Sequence, residues 1–125
     1  MKKIIQTKYA PAAVGPYSQA VESRGVLFVS GQLGIDPATG SMVPGGIREQ
    51  TERLLQNLTT VLNSGGYNLT DVVKCTVYLK DINDFQAMNE VYATFFETDP
   101  PARAAFQVAA LPLDALVEIE AVAMR

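Results

Sequence analysis

The sequence predicts an α+β fold, and three patterns carry that prediction. Apolar residues recur at spacings of three, four and seven over 47–62 and again over 85–96, the period of a helix with one buried stripe. Over 72–80 and 117–124 the period drops to two, the mark of a strand with two distinct faces. Along the chain the order is strands, helix, strand, helix, strands, which suits a sheet with both helices packed on one face.

Taken in order, residues 8–18 read as irregular, with Pro11, Gly15 and Pro16 fixing the path. Val26-Leu27-Phe28-Val29-Ser30 is a short apolar run ending at Gly31, and its branched and aromatic content predicts a buried strand. Asp36-Pro37 and Thr39-Gly40 mark a turn. Ile47, Thr51, Leu54, Leu55, Leu58, Val61 and Leu62 then draw the stripe of the first helix, with Arg48, Glu49, Glu52, Arg53, Gln56 and Asn63 off it. Gly65-Gly66 ends that helix, because glycine takes the left-handed cap conformation cheaply.

In the next strand Val73, Cys75, Val77 and Leu79 are expected to face the core, with Lys74, Thr76, Tyr78 and Lys80 opposite. The second helix is expected to be capped by Asn83, with Gln86 completing a capping box. Its stripe is Phe85, Met88, Val91, Tyr92, Phe95 and Phe96, and Asp99-Pro100-Pro101 stops it. A strand over 103–110 is broken by Leu111-Pro112. In the last strand Val117, Ile119, Ala121 and Ala123 share one face and Glu118, Glu120, Val122 and Met124 the other. No repeat, linker or low-complexity tract interrupts this order, so residues 1–125 are read as one domain.

Composition narrows the chemistry. The net charge is −3 and the pI about 4.8, with no Lys/Arg cluster, so no nucleic acid is expected as a partner. There is no histidine, and Cys75 is the one cysteine. The commonest general base and metal ligand is therefore missing, and neither a disulfide nor a thiolate cage can form within the chain. Catalysis would have to use carboxylates, Arg or Lys, hydroxyls or backbone groups, with no metal. Cys75 itself, mid-strand on the apolar face, reads as an inert core residue. The opening Met1-Lys2-Lys3-Ile4-Ile5 develops no apolar h-region, and no run approaches the length of a membrane span. A cytoplasmic location is expected, and the sequons at Asn57 and Asn68 read as chance matches.

Two constellations can carry chemistry. Pro101-Ala102-Arg103 sets a guanidinium at the start of an apolar strand, where its planar fork suits a carboxylate partner. Spacing alone also reads it as a strand-end arginine that is solvated or paired with a surface acid. Glu118 and Glu120 share one face of the last strand beside Val122 and Met124. That is either the wet side of an edge strand or a carboxylate placed to activate water. Tyr17, in the rigid Gly15-Pro16-Tyr17-Ser18-Gln19 segment, can line a pocket or simply pack. Ser30-Gly31 would let a ligand approach the backbone, but without histidine Ser30 has no triad.

Both faces of the predicted sheet carry apolar side chains, Phe106 and Val108 opposite Ala105 and Ala109, and Val122 and Met124 opposite Ile119 and Ala121. Two helices cover only one face. An open apolar face of that size predicts an oligomer.

Several segments, taken together, resemble the RidA (YjgF) family. They are residues 10–19 (Ala-Pro-Ala-Ala-Val-Gly-Pro-Tyr-Ser-Gln), Val29-Ser30-Gly31-Gln32, Glu49-Gln50-Thr51, residues 72–81, Asn89-Glu90-Val91-Tyr92, Pro101-Ala102-Arg103 and Val117-Glu118-Ile119-Glu120-Ala121. The resemblance is collinear over essentially the whole chain. It implies a chorismate-mutase-like α+β fold with a mixed sheet, and a homotrimer whose sheets form a central barrel. It also implies sites in the clefts between subunits. The implied activity is hydrolysis of reactive enamine/imine intermediates, such as 2-iminobutanoate and 2-iminopropanoate, to 2-oxo acids and ammonia, with no cofactor. Arg103 matches the family's carboxylate clamp. Glu118, rather than Glu120, matches its glutamate fifteen residues on. Tyr17, Ser30, Gly31, Phe85, Asn89 and Ala105 are expected to line the pocket.

The departures lie beside the arginine. Ala105 stands where many relatives carry cysteine, and Ala110 where they carry a second arginine, which leaves the cleft wall more apolar. Two other functions compete with deamination. One is a non-catalytic regulatory trimer that binds small carboxylates through Arg103. The other is a ribonuclease, against which the acidic balance and the missing histidine both argue.

Overall fold

The computed structural model describes all 125 residues. Eight strands and two helices follow in chain order: β1 (Lys3–Ile5), β2 (Ala20–Ser23), β3 (Val26–Gln32), β4 (Ile35–Asp36), β5 (Ser41–Met42), α1 (Ile47–Ser64), β6 (Val72–Leu79), α2 (Phe85–Phe95), β7 (Ala102–Gln107) and β8 (Val117–Met124). Six strands form a mixed sheet in the order β1-β2-β3-β8-β6-β7, parallel only between β6 and β7, while β4 and β5 make a separate small hairpin. The sheet is open, with β1 and β7 at its edges. The α+β class and the two helices agree with expectation.

The helical stripe of α1 works as predicted: Leu54, Leu55, Leu58, Val61 and Leu62 are fully buried. They pack with Leu27, Val29, Cys75, Val77, Ile119, Ala121 and Ala123 from one face of the sheet, and with Met88 and Tyr92 of α2. Each such leucine contributes about 1.5–3 kcal/mol of transfer free energy. Three polar residues of α1 are also buried, and Thr51 among them bonds back to the Ile47 carbonyl. Asn57 donates to the Leu33 and Ile35 carbonyls, and Gln50 accepts from the Leu116 N–H, so both tie loops to the helix.

Four local expectations need correction. β1 and β2 were not foreseen: they are three and four residues long, too short for a period to declare itself. The β2–β3 turn is Arg24-Gly25, both at positive φ, the two-residue hairpin geometry that glycine favours. Val73 is exposed, not buried, because a register shift between Val72 and Lys74 puts Val72 on the core side. Asn83 does not cap the second helix; the Asp81 carboxylate accepts from the Asn83 N–H, and a single 3-10 turn over 82–84 leads into α2. Finally, β7 ends at Gln107, not 110, since only the Val108 N–H still reaches β6, at the Leu79 carbonyl.

The face turned away from the helices is uncovered. Phe28, Phe106 and Met124 there are each about half exposed (52%, 45% and 51%), and Tyr78 meets Phe106 edge-on at 5.4 Å.

Candidate active site

Glu118 is placed by β8 on the uncovered face. Its register partner on β6 is Tyr78. The β3–β8 pairing shifts register between Val29 and Gln32, so Ser30-Gly31 loops past the glutamate. A Cβ built on Gly31 would lie 2.8 Å from Glu118 Cδ and would overlap Oε2, so glycine is what lets the carboxylate lie against the strand. No hydrogen bond or ion pair within the chain engages the Glu118 carboxylate. Burial pushes its carboxyl above the usual range, and the charge of Glu120 pushes it further. Glu120, exposed on the same face, accepts a hydrogen bond from the Tyr78 hydroxyl at 2.6 Å. That bond leads the causes that push the phenol up to about 12.

Glu118, Gly31, Ser30 and Tyr17 line one cleft of about 720 Å³, with Leu33, Ile35 and Leu113 among its apolar wall. Tyr17 is half exposed on the 8–18 loop. The Ser30 hydroxyl donates to the Ser18 carbonyl at 2.6 Å, so its proton is committed to holding that loop. Gln19, buried, was not singled out by its sequence. Its amide accepts from the Thr7 N–H and donates to the Thr7 and Pro11 carbonyls, which fixes the loop that presents Tyr17.

Arg103 lies elsewhere. It sits on the edge strand β7, half-buried, and points to the helix face. Its Nη1 donates to Asn89 Oδ1 at 2.7 Å. The guanidinium lies 4.9 Å from the ring centre of Tyr92 and 5.4 Å from that of Phe85. Phe85, Asn89 and Tyr92 are four and then three residues apart, so α2 presents them on one face. The apolar stripe of α2 marks Tyr92 only as core; its spacing from Phe85 and Asn89 is the signal that places it beside Arg103. Ala105, two residues along β7, shares the face of Arg103 and is half-buried. The three ion pairs of the chain join Arg48 to Glu90, Lys80 to Asp114 and Arg125 to Glu22, so Arg103 has no carboxylate partner.

The predicted residues therefore fall into two groups. Arg103 is registered with Cys75 and Glu118 with Tyr78. Cys75 and Tyr78 are three apart on one strand, so they face opposite ways. Within one chain the guanidinium and the carboxylate are on opposite sides of the sheet.

Comparison with known proteins gives both a class and a family. The crystal structure of Escherichia coli TdcF with bound serine matches with a TM-score of 0.94 and 41% identity, covering 98% of each chain, and it shares this α+β fold. A family model described as Endoribonuclease L-PSP matches residues 7–125. The 2-iminobutanoate/2-iminopropanoate deaminase of Bos taurus is 53% identical over all of this chain and 91% of its own. A RutC family protein of Pyrococcus horikoshii is 52% identical over all of this chain and 99% of its own. The chain belongs to the RidA (YjgF) family.

Proposed function

We propose that this protein hydrolyses small 2-imino acids, 2-iminobutanoate and 2-iminopropanoate among them, to 2-oxo acids and ammonia. The sites lie between the subunits of a homotrimer in the cytoplasm. One observation carries the reading: an unpaired guanidinium and an unpaired carboxylate stand on opposite faces of one sheet, so only a second copy can bring them together. One protomer supplies Glu118, Gly31, Ser30 and Tyr17. Its neighbour supplies Arg103, Asn89, Phe85 and Ala105. The uncovered face with Phe28, Phe106 and Met124 supplies the apolar area for association, the three sheets enclosing a central barrel.

The chemistry follows from these groups. Arg103 holds the substrate carboxylate through its free N–H edge and orients the C=N bond. Glu118 takes a proton from a water as the water oxygen bonds to the imine carbon, and returns that proton to nitrogen, giving a neutral carbinolamine. The carbinolamine hydroxyl proton then passes by way of Glu118 to nitrogen as the C–N bond breaks, releasing ammonia and leaving the 2-oxo group. A carboxylate with a raised pKa suits both halves of this exchange. The imine carbon is already electrophilic and needs no covalent nucleophile. The activity named for relatives at about half identity supports the reading. The net charge of −3 weighs against an RNA substrate. The serine bound in E. coli TdcF favours a second reading, a regulatory trimer that binds small carboxylates without turnover.

The test is to generate 2-iminobutanoate in situ with threonine dehydratase and follow its loss. Acceleration by this protein, abolished in Arg103→Ala, is expected. Ligand binding with no acceleration would replace the enzyme by the regulatory trimer.

A further inference from the structure

We infer that Tyr92 is a positioning residue for Arg103: its ring face sets the plane of the guanidinium and so the direction of the free N–H groups. This rests on the reading that Arg103 grips the substrate carboxylate.

The problem it answers is geometric. An arginine side chain has more rotamer freedom than almost any other, and bidentate recognition needs its fork in one plane. Asn89 bonds only Nη1, which fixes a point and not a plane. The plane must come from the rings. Phe85 is half-buried at the first position of α2, and its centre is the more distant at 5.4 Å. Tyr92 is nearer at 4.9 Å, only 6% exposed, and braced by Phe96 with ring centres 4.8 Å apart. The fully buried Cys75, register partner of Arg103, lies beneath.

Two further observations single out the ring over the hydroxyl. The Tyr92 hydroxyl is buried, and its one polar neighbour is the Cys75 thiol, a weak partner that falls short of good hydrogen-bond geometry, so no strong bond holds it there. The side chains in contact with the Arg103 guanidinium, those of Asn89, Tyr92 and Phe85, are also all neutral. The contrast is Arg125, which lies 4.3 Å from the Tyr67 ring but also bonds Glu22 and the Gly66 carbonyl, so its charge is already engaged. A clamp of two rings and one amide orients Arg103 and leaves its charge for an incoming anion.

Tyr92→Phe keeps the ring and removes the hydroxyl; Tyr92→Leu removes the ring face. The ¹H–¹⁵N signals of the Arg103 side chain report its orientation without any ligand. In Tyr92→Leu they are expected to lose the Tyr92 share of their ring-current shift and move toward those of exposed Arg24; in Tyr92→Phe they stay. With the imine as substrate, Tyr92→Leu should raise KM about tenfold with kcat within about threefold, and Tyr92→Phe should restore KM. An unchanged Arg103 signal in Tyr92→Leu, or a KM rise shared equally by Tyr92→Phe, would overturn the inference. If Tyr92→Leu does not fold, Tyr92→Met keeps the bulk without the ring and is read the same way. If the wild-type protein does not accelerate imine loss, it is the deaminase reading that fails, and the NMR comparison still decides the clamp.

Discussion

Tyr78 donates its phenolic proton to Glu120 across 2.6 Å, and that bond separates two glutamates that the strand presents side by side. Glu120 is occupied and exposed, whereas Glu118 is half-buried, unbonded and next to Gly31. Glu118→Gln is therefore expected to lower kcat by about 10²–10⁴-fold, the usual worth of a general base. Glu120→Gln should keep activity within about threefold, since it touches no reacting atom. Steady-state kinetics on both variants decides it; a dead Glu120→Gln that still folds would move the base off Glu118.

Gly31 gives a second, steric test. A methyl group there displaces the carboxylate that lies against it, while the backbone has no positive φ to protect. Gly31→Ala should cut kcat more than tenfold and cost about 1–3 kcal/mol of stability or less, as overpacking of a yielding side chain does. Activity and thermal melts are read together. Full activity in Gly31→Ala would show that the position of Glu118 is not critical.

The raised pKa of Glu118 has two opposite consequences. On the proposed mechanism activity needs the carboxylate, so it should fall as pH drops through a value above the usual 4.5. Glu120→Gln removes one of the two causes of the rise and should move that acid limb to lower pH. For stability the sign reverses. A carboxyl that holds its proton more tightly when folded stabilises the fold below the unfolded pKa, and that contribution is lost as pH rises through the folded pKa. At neutral pH Glu118→Gln should thus melt higher than the wild type while being inactive. A lower melting temperature would contradict the burial assigned to Glu118.

Opposite faces make a prediction about mixtures. Arg103→Ala and Glu118→Gln protomers each lack a different wall. Co-refolded in equal amounts, about a quarter of their shared sites pair an intact wall from each, so about a quarter of wild-type activity should return if assembly is random. Activity is compared before and after mixing, with light scattering to count subunits. No recovery in mixed trimers would mean that one chain completes its own site.

Much of the fold can be read from period alone: α1, β6 and β8 each run long enough for their faces to show. What the sequence hides is non-local. Residues 3–5 and 20–23 become strands only because β3 offers them a partner. Val73 breaks its own alternation because a bulge, not a residue type, decides which side it faces. The likeness of local motifs singles out Arg103 and Glu118. That they face apart follows from the registers of β7 and β8 on β6, which lie far from either residue in sequence. Tyr92 carries the right helical spacing, yet apolar stripes so often mean core that its place under a guanidinium shows only in three dimensions.

The position of β8 has a consequence for how the molecule is made. It is the last of the eight strands in chain order, yet it lies between β3 and β6. Until it inserts, β1-β2-β3 and β6-β7 are separate pieces with unpaired edges, and such edges invite wrong partners. A nascent chain on the ribosome can form α1 early but cannot close its sheet. The strand that closes it also carries Glu118, so the protein gains its shape and the carboxylate proposed as its base in the same late step.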